Sequence, residues 1–388
     1  MTAAGRARTR ASRPAILLAT AGLLVLAASC KKKDPPPPGK DPAPVTGVAT
    51  TPSVSDASAP RPGMTFIPAG TLKAGTPPHV VPRVAEEELP GTPIPMQGFY
   101  IDQLPFPNEP GAIPTTNVTR EEAEQLCAGK GKRLCTELEW ERACKGEAGT
   151  TYEYGDAYRA PACGTGVTAE EGARRPSGEL AQCKSGFGVA DMHGGVWQWT
   201  SSKWGRGATD GSLGVLRGGN AVAGELVGRC ANAIGRSTTK KSPTMGLRCC
   251  AGAKNEVEVD LALRGTPGLS LVKAEPAAAL LPTALGEGAH AQRAYRWTPT
   301  PNEELVILMG CTRSSTPSCV VVTGRASGED AGAATVISRE QVGLVLPDLV
   351  RIGDPKHLRL RGIDTLGTFS REVTYVYGRV DVGAMKRP

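Results

Sequence analysis

Ten cysteines lie beyond residue 100: Cys127, Cys135, Cys144, Cys163, Cys183, Cys230, Cys249, Cys250, Cys311 and Cys319. An eleventh, Cys30, stands apart near the start. Thiolates are nucleophiles and soft metal ligands, and paired thiols oxidise to disulfides, so these residues carry most of the chemistry open to the chain. The histidines His79, His193, His290 and His357 are scattered and no cysteine pair has C-x2-C spacing, so zinc is not expected. The N-terminus reads as an export signal, and an even set of cysteines in an exported chain points to disulfides. Ten cysteines allow about 945 connectivities. One pair is readable. Leu305-Val306-Ile307-Leu308 and Val320-Val321-Val322-Thr323 read as adjacent strands, and Cys311 and Cys319 flank the polar loop between them, where a bridge staples a hairpin. Cys249 and Cys250, adjacent in a strand, point to opposite faces and need different partners, with Cys230 expected as one of them.

The stretch that organises these residues is Gly186-Phe187-Gly188-Val189-Ala190-Asp191-Met192-His193-Gly194-Gly195-Val196-Trp197-Gln198-Trp199-Thr200. Its glycines and lack of a 3.6-residue apolar stripe exclude a helix, and it reads as a loop feeding a strand. Alternation sends Trp197 and Trp199 to one face and Val196 and Gln198 to the other. His193 is expected as a solvent-facing turn residue.

The formal charge of +7 is concentrated at the start of the 388-residue chain. Arg6, Arg8, Arg10 and Arg13 precede an apolar run over residues 15–28, too short to span a bilayer, as in a signal peptide covering residues 1–29. Without those residues the charge falls to +3, and no nucleic-acid partner is implied. Leu26-Ala27-Ala28-Ser29-Cys30 resembles a lipobox, with its leucine one place early, which implies lipidation at Cys30. Residues 30–61 are rich in Lys and Pro and read as a tether holding a domain off a membrane. A lipid-anchored protein of the bacterial cell envelope, facing the periplasm or the exterior, is the expectation. With 48 glycines, 33 prolines and 4% aromatic residues, long helices are not expected.

Met64-Thr65-Phe66-Ile67-Pro68-Ala69-Gly70-Thr71-Leu72 alternates like an edge strand ending at a Pro-Gly turn, and Phe99-Tyr100-Ile101-Asp102 repeats the pattern as a second strand framing a sheet. Thr119-Arg120-Glu121-Glu122 and Thr136-Glu137-Leu138-Glu139 are capping boxes opening helices to about residues 128 and 145. In the second, Trp140, Ala143 and Cys144 share one face and Glu137, Glu141 and Lys145 another. These landmarks, with Gly131-Lys132-Arg133-Leu134-Cys135-Thr136-Glu137, Tyr152-Glu153-Tyr154-Gly155-Asp156, Leu216-Arg217-Gly218-Gly219-Asn220, Arg229-Cys230 and Met245-Gly246-Leu247-Arg248, stand in order across residues 62–252. Together with the D-M-x-G-x-V-W-x-W-T loop they resemble the formylglycine-generating enzyme (sulfatase-modifying factor) family, a loop-rich fold similar to C-type lectins.

That resemblance implies an oxygen-dependent oxidase that converts a sulfatase cysteine to formylglycine with copper(I) between two thiolates. Cys230 matches the second of the family's two cysteines, but Glu225 stands at the first, so copper is not expected and Cys230 reads as half of a disulfide. The related sulfoxide synthases use non-haem iron on an H-x3-H-x-E-like cluster, which this chain lacks. The family's signature loop also holds calcium, and the matching positions are Asp191, Gly194, Val196 and Gln198. Gln198 replaces a glutamate and removes a charge. Asp191 serves equally well as a turn cap through an Asx hydrogen bond.

The predicted fold class is α+β: a loop-rich domain like the formylglycine-generating enzymes over residues 62–252, a linker over 253–291 and a small mostly-β domain over 292–388. Arg359 and Arg361 share one strand face there, read as solvated. Two functions remain: a lipoprotein scaffold binding a protein or glycan, or an active formylglycine-generating oxidase with a displaced site.

Overall fold

In a computed structural model, the residues described are 59–388 apart from 208–210, 223, 262–266, 282, 315–316, 326–334 and 343–346. The expected signal peptide, Cys30 and nearly all of the expected tether lie outside them. No helix among the described residues is long and apolar enough to cross a membrane.

Strands outnumber helices throughout. Met64–Ile67 and Phe99–Asp102 pair antiparallel, and the sheet continues through Cys249–Gly252 to Arg133–Leu134. The signature strand Trp197–Lys203 lies inside a second sheet, antiparallel to Leu213–Arg217 and parallel to Met245–Leu247. Trp197 and Trp199 pack with Leu134, Leu216 and Leu247, while Val196 and Gln198 are buried on the other side. Gly70–Gly75 and Pro90–Met96 form a separate two-stranded ribbon.

Helix α1 spans Arg120–Ala128 and α2 spans Glu137–Lys145. Both carry complete capping boxes, Thr119 with Glu122 and Thr136 with Glu139, because each threonine hydroxyl and glutamate satisfies a backbone N–H that the helix start leaves unpaired. The short helix α3, Ala169–Ala173, repeats the device with Thr168 and Glu171. The apolar face of α2 joins Ile67, Phe99 and Ile101 in the main core. Its charged face is buried as well: all nine residues of α2 are buried. Glu137 accepts both guanidinium nitrogens of Arg206 at 2.8 and 2.6 Å and one of Arg217 at 2.8 Å. Glu141 pairs with Lys145 at 2.6 Å and Arg217 at 3.1 Å and accepts the Gly75 N–H at 2.7 Å. Spacing shows that two faces exist and leaves open that both are covered.

Residues 268–382 build two antiparallel sheets. One runs Gly268–Val272, Ala289–Thr300, Glu303–Thr312, Cys319–Arg325, Thr335–Gln341, and the other Asp348–Arg351, His357–Asp364, Gly367–Val376, Arg379–Val382. Their facing sides meet in a core containing Trp297, Ile307, Leu358, Leu360, Phe369 and Tyr375. The stretch 253–291, expected as a linker, contributes the strand Gly268–Val272 and helix α4, Ala274–Leu280. The reason is packing: Ala277 and Leu281 cover Val306, Leu308 and Val322 on the opposite side of the five-stranded sheet. The β-rich half also shares buried charge with the first half, since Arg83 pairs with Glu303 at 3.2 Å and Tyr375 donates to the same carboxylate at 3.1 Å. Arg359 and Arg361 lie on the exposed face of their strand, with Arg361 paired to Asp348.

Removing one partner of a fully buried ion pair strands the other charge. Glu137→Ala should therefore cost about 3–5 kcal/mol in denaturant unfolding, against less than about 1 kcal/mol for Lys241→Ala at the exposed Lys241–Glu122 pair.

Candidate functional site

The cysteines connect as Cys127–Cys249, Cys135–Cys250, Cys144–Cys230, Cys163–Cys183 and Cys311–Cys319. Cys249 and Cys250 point opposite ways along their strand, toward the end of α1 and the start of α2. The expectation that Cys230 joins one of them is corrected. Cys230 packs in the core against the last turn of α2 and is bridged to Cys144 there. Its backbone N–H donates to Thr151 O at 2.8 Å, and its carbonyl accepts from Arg217 at 3.1 Å. The neighbouring Arg229 is inaccessible and donates to Glu88 at 2.8 Å. Glu225 is on the surface with its side chain 52% exposed, and Arg379 lies 3.7 Å from its carboxylate. Its carbonyl, not its side chain, faces inward and accepts the Tyr152 hydroxyl at 2.7 Å.

The signature loop is organised around the guanidinium of Arg248. This side chain is fully buried and donates to Asp102 O at 2.8 Å, Ala190 O at 2.6 Å, Asp191 O at 3.0 Å and Gln198 Oε1 at 3.0 Å. Burial pushes its pKa down to about 10, which leaves it cationic at neutral pH. Gln198 is engaged at both ends: Oε1 also accepts from Trp140 Nε1 at 2.9 Å, and Nε2 donates to Asp191 O at 3.1 Å. Asp191 accepts the Gly178 N–H at 2.6 Å, so it ties down a distant segment and does not close a local Asx turn. Burial raises its pKa. Gly194 holds φ +82°, and a Cβ there would stand 2.3 Å from Cys163 O, so this turn requires glycine.

That turn carries His193 inward. Expected at the solvent, it is 2% exposed, with Nδ1 3.0 Å from the buried carboxylate of Glu153 and Nε2 without a partner. The bridged sulfurs of Cys163 and Cys183 lie against the same carboxylate. No sequence signal marks this group, because Glu153, Cys163, Cys183 and His193 are widely and irregularly spaced.

The sulfatase-modifying factor enzyme 1-like domain family matches residues 106–253. These residues form such a domain. Similar curated proteins include the inactive C-alpha-formylglycine-generating enzyme 2 of Bos taurus, 30% identical over 155 residues that cover 36% of this chain and 51% of that protein. The hercynine oxygenase of Mycolicibacterium thermoresistibile is 34% identical over 152 residues, covering 33% and 32%. The formylglycine-generating enzyme of Mus musculus is 26% identical over 166 residues, covering 36% and 44%. The chain thus spans about half the length, or less, of these relatives. Among solved structures, PvdO from Pseudomonas aeruginosa aligns at 20% identity and TM-score 0.42, covering 50% of this chain and 99% of that one.

Neither metal implied by the family resemblance fits the residues of this sulfatase-modifying-factor-like domain. Copper(I) needs two thiolates, but the Cys230 sulfur is bonded to Cys144 and the Glu225 carboxylate is exposed beside Arg379. Calcium needs free oxygens around a vacant centre. Here the backbone oxygens of Ala190 and Asp191 and the Gln198 Oε1 already serve the Arg248 cation, the Asp191 carboxylate accepts the Gly178 N–H, Gly194 O faces Arg175 at 3.5 Å, and Gln198 brings no charge.

Because the Cys144–Cys230 bridge closes a loop of 86 residues through the core, Cys144→Ala, Cys230→Ala and the double variant should each lose roughly 2–5 kcal/mol in chemical denaturation. Equal losses for all three would identify the shared bridge as the source, whereas an unchanged midpoint for Cys230→Ala would show that the sulfur does no structural work.

Proposed function

We propose that this protein is a lipid-anchored lipoprotein of the bacterial cell envelope, whose sulfatase-modifying-factor-like domain binds a protein or glycan partner and performs no copper oxidation. The observation that carries the reading is the Cys144–Cys230 bridge, which occupies the one sulfur that matches a copper ligand of the family. A disulfide sulfur has no thiolate to offer, and the position five residues earlier holds an exposed glutamate. Five internal disulfides fit an oxidising compartment outside the cytoplasm. Cys30, followed by the Lys- and Pro-rich tether, supplies the anchor in this reading, and the β-rich part from Gly268 onward forms a second domain. Fold alone does not decide between scaffold and enzyme, so the argument rests on the sulfur.

Incubation of the purified chain with a Cys-x-Pro-x-Arg peptide, copper(I) and oxygen should leave the peptide cysteine unchanged by mass. Copper-dependent appearance of formylglycine would restore the oxidase reading. Mass spectrometry of the mature N-terminus should find acylated Cys30, and an unmodified, soluble mature form would remove the anchor.

A further inference from the structure

Buried polar groups ordinarily have partners, and one cluster here holds more polar atoms than its surroundings satisfy. Glu153, Cys163, Cys183 and His193 are each at most 2% exposed, and one potential ligand atom from each lies within 4.8 Å of all the others. Among the described residues it is the only such cluster of His, Cys, Asp or Glu. Glu153 Oε1 is 2.6 Å from Cys183 Sγ and 3.2 Å from Cys163 Sγ. A bridged sulfur carries no hydrogen, so neither contact is a hydrogen bond. That oxygen keeps only the Met192 N–H, at 3.2 Å, and among the described residues the carboxylate has no ion-pair partner except His193. The His193 Nε2 atom is buried and unpaired. An acceptor-rich pocket of this kind is a ready set of ligands for a cation.

We propose that, once the Cys163–Cys183 bridge is opened, these four side chains form a zinc site with two sulfurs, one imidazole nitrogen and one carboxylate oxygen. The steps balance simply. A dithiol reductant supplies two electrons and two protons and becomes a disulfide, while the Cys163–Cys183 S–S bond breaks and each sulfur becomes a thiol. The metal ion then displaces both thiol protons to solvent as two thiolates bind it. Zinc takes such mixed S, N and O sets in closed tetrahedral sites, where bond lengths near 2.0–2.3 Å place ligand atoms about 3.3–3.8 Å apart. Opening the bridge frees the two sulfurs to separate, and the other ligand atoms, already within 4.8 Å, draw in to that spacing. Two thiolates and a carboxylate leave one negative charge beside a divalent ion. Arg175, which donates to the carbonyls of Cys163 at 3.1 Å and Gly164 at 2.9 Å, is placed to offset it. A small cleft lined by Pro105, Pro114, Arg175, Asp191 and His193 borders Cys163 on the side nearest solvent. Among the described residues the other four bridges have no comparable histidine and carboxylate beside them, so the oxidised state of this one bridge gates the site. The inference is independent of whether the chain oxidises peptides.

The test uses the full chain, anaerobically, before and after treatment with an immobilised dithiol, with peptide mapping to show which bridges open. Cobalt(II) is the spectroscopic probe and zinc is counted by elemental analysis. The oxidised chain should take up none. The chain opened at Cys163–Cys183 should bind one ion and show intense tetrahedral cobalt bands with thiolate charge transfer. His193→Gln and Glu153→Gln should each weaken binding more than about tenfold, and the Cys163→Ser/Cys183→Ser double variant should lose the thiolate bands. The proposal is overturned if the mapped bridge is open and no ion binds, if opening it unfolds the chain by circular dichroism, or if the spectrum persists in the double variant, which would place the metal on thiols from another bridge.

Discussion

The carboxylate of Glu137, held between Arg206 and Arg217, is the interaction on which the rest of the first half depends. A helix whose charged residues have all left water is tolerable only where each charge meets a fixed partner, and those partners come from the segment after the signature strand and from Leu213–Arg217. Glu141 adds Lys145 and the backbone of Gly75, and Arg133 ties Glu139 at 2.8 Å. Helix α2 therefore cannot shift or rotate without breaking several buried pairs at once. Because Cys144 rides on its last turn, the place of the Cys230 bridge is set by the same charges.

This arrangement explains which features could be read from residues alone. Capping boxes are local chemistry, satisfied within four residues, and both helix starts stood where Thr119 and Thr136 put them. The W-x-W alternation is likewise local, and Trp199 and Gln198 take opposite faces of the strand. Burial of Glu137, Glu141 and Lys145 is not local. It needs arginines 69 and 80 residues away, which no periodicity in the helix announces. The same holds for His193, brought inward by a glycine turn toward a carboxylate 40 residues earlier, and for the Cys144–Cys230 pairing across 86 residues. Helix α4 was hidden by its Ala- and Pro-rich composition, which resembles a linker until a sheet face is available to cover.

The loop that most strongly marks the fold is ordered from within by a buried guanidinium. Arg248 collects the backbone oxygens of Asp102, Ala190 and Asp191 together with the Gln198 amide, so the positive centre that orders the turn is a side chain covalently part of the protein. An amide at position 198 suits that role, since it accepts from the indole and the guanidinium on one atom and donates to Asp191 from the other. The disulfides act in the same sense, anchoring α1, α2 and the Cys249–Gly252 strand to one another through the core.

The central claim is that the Cys230 sulfur is committed to structure. It is tested most directly by alkylating the native, unreduced chain, digesting it without reductant and sequencing the cysteine peptides by mass spectrometry. The account predicts a linked peptide pair containing Cys144 and Cys230 and no alkylated Cys230. Recovery of Cys230 as an alkylated free thiol, with Cys144 unpaired or joined elsewhere, would contradict it.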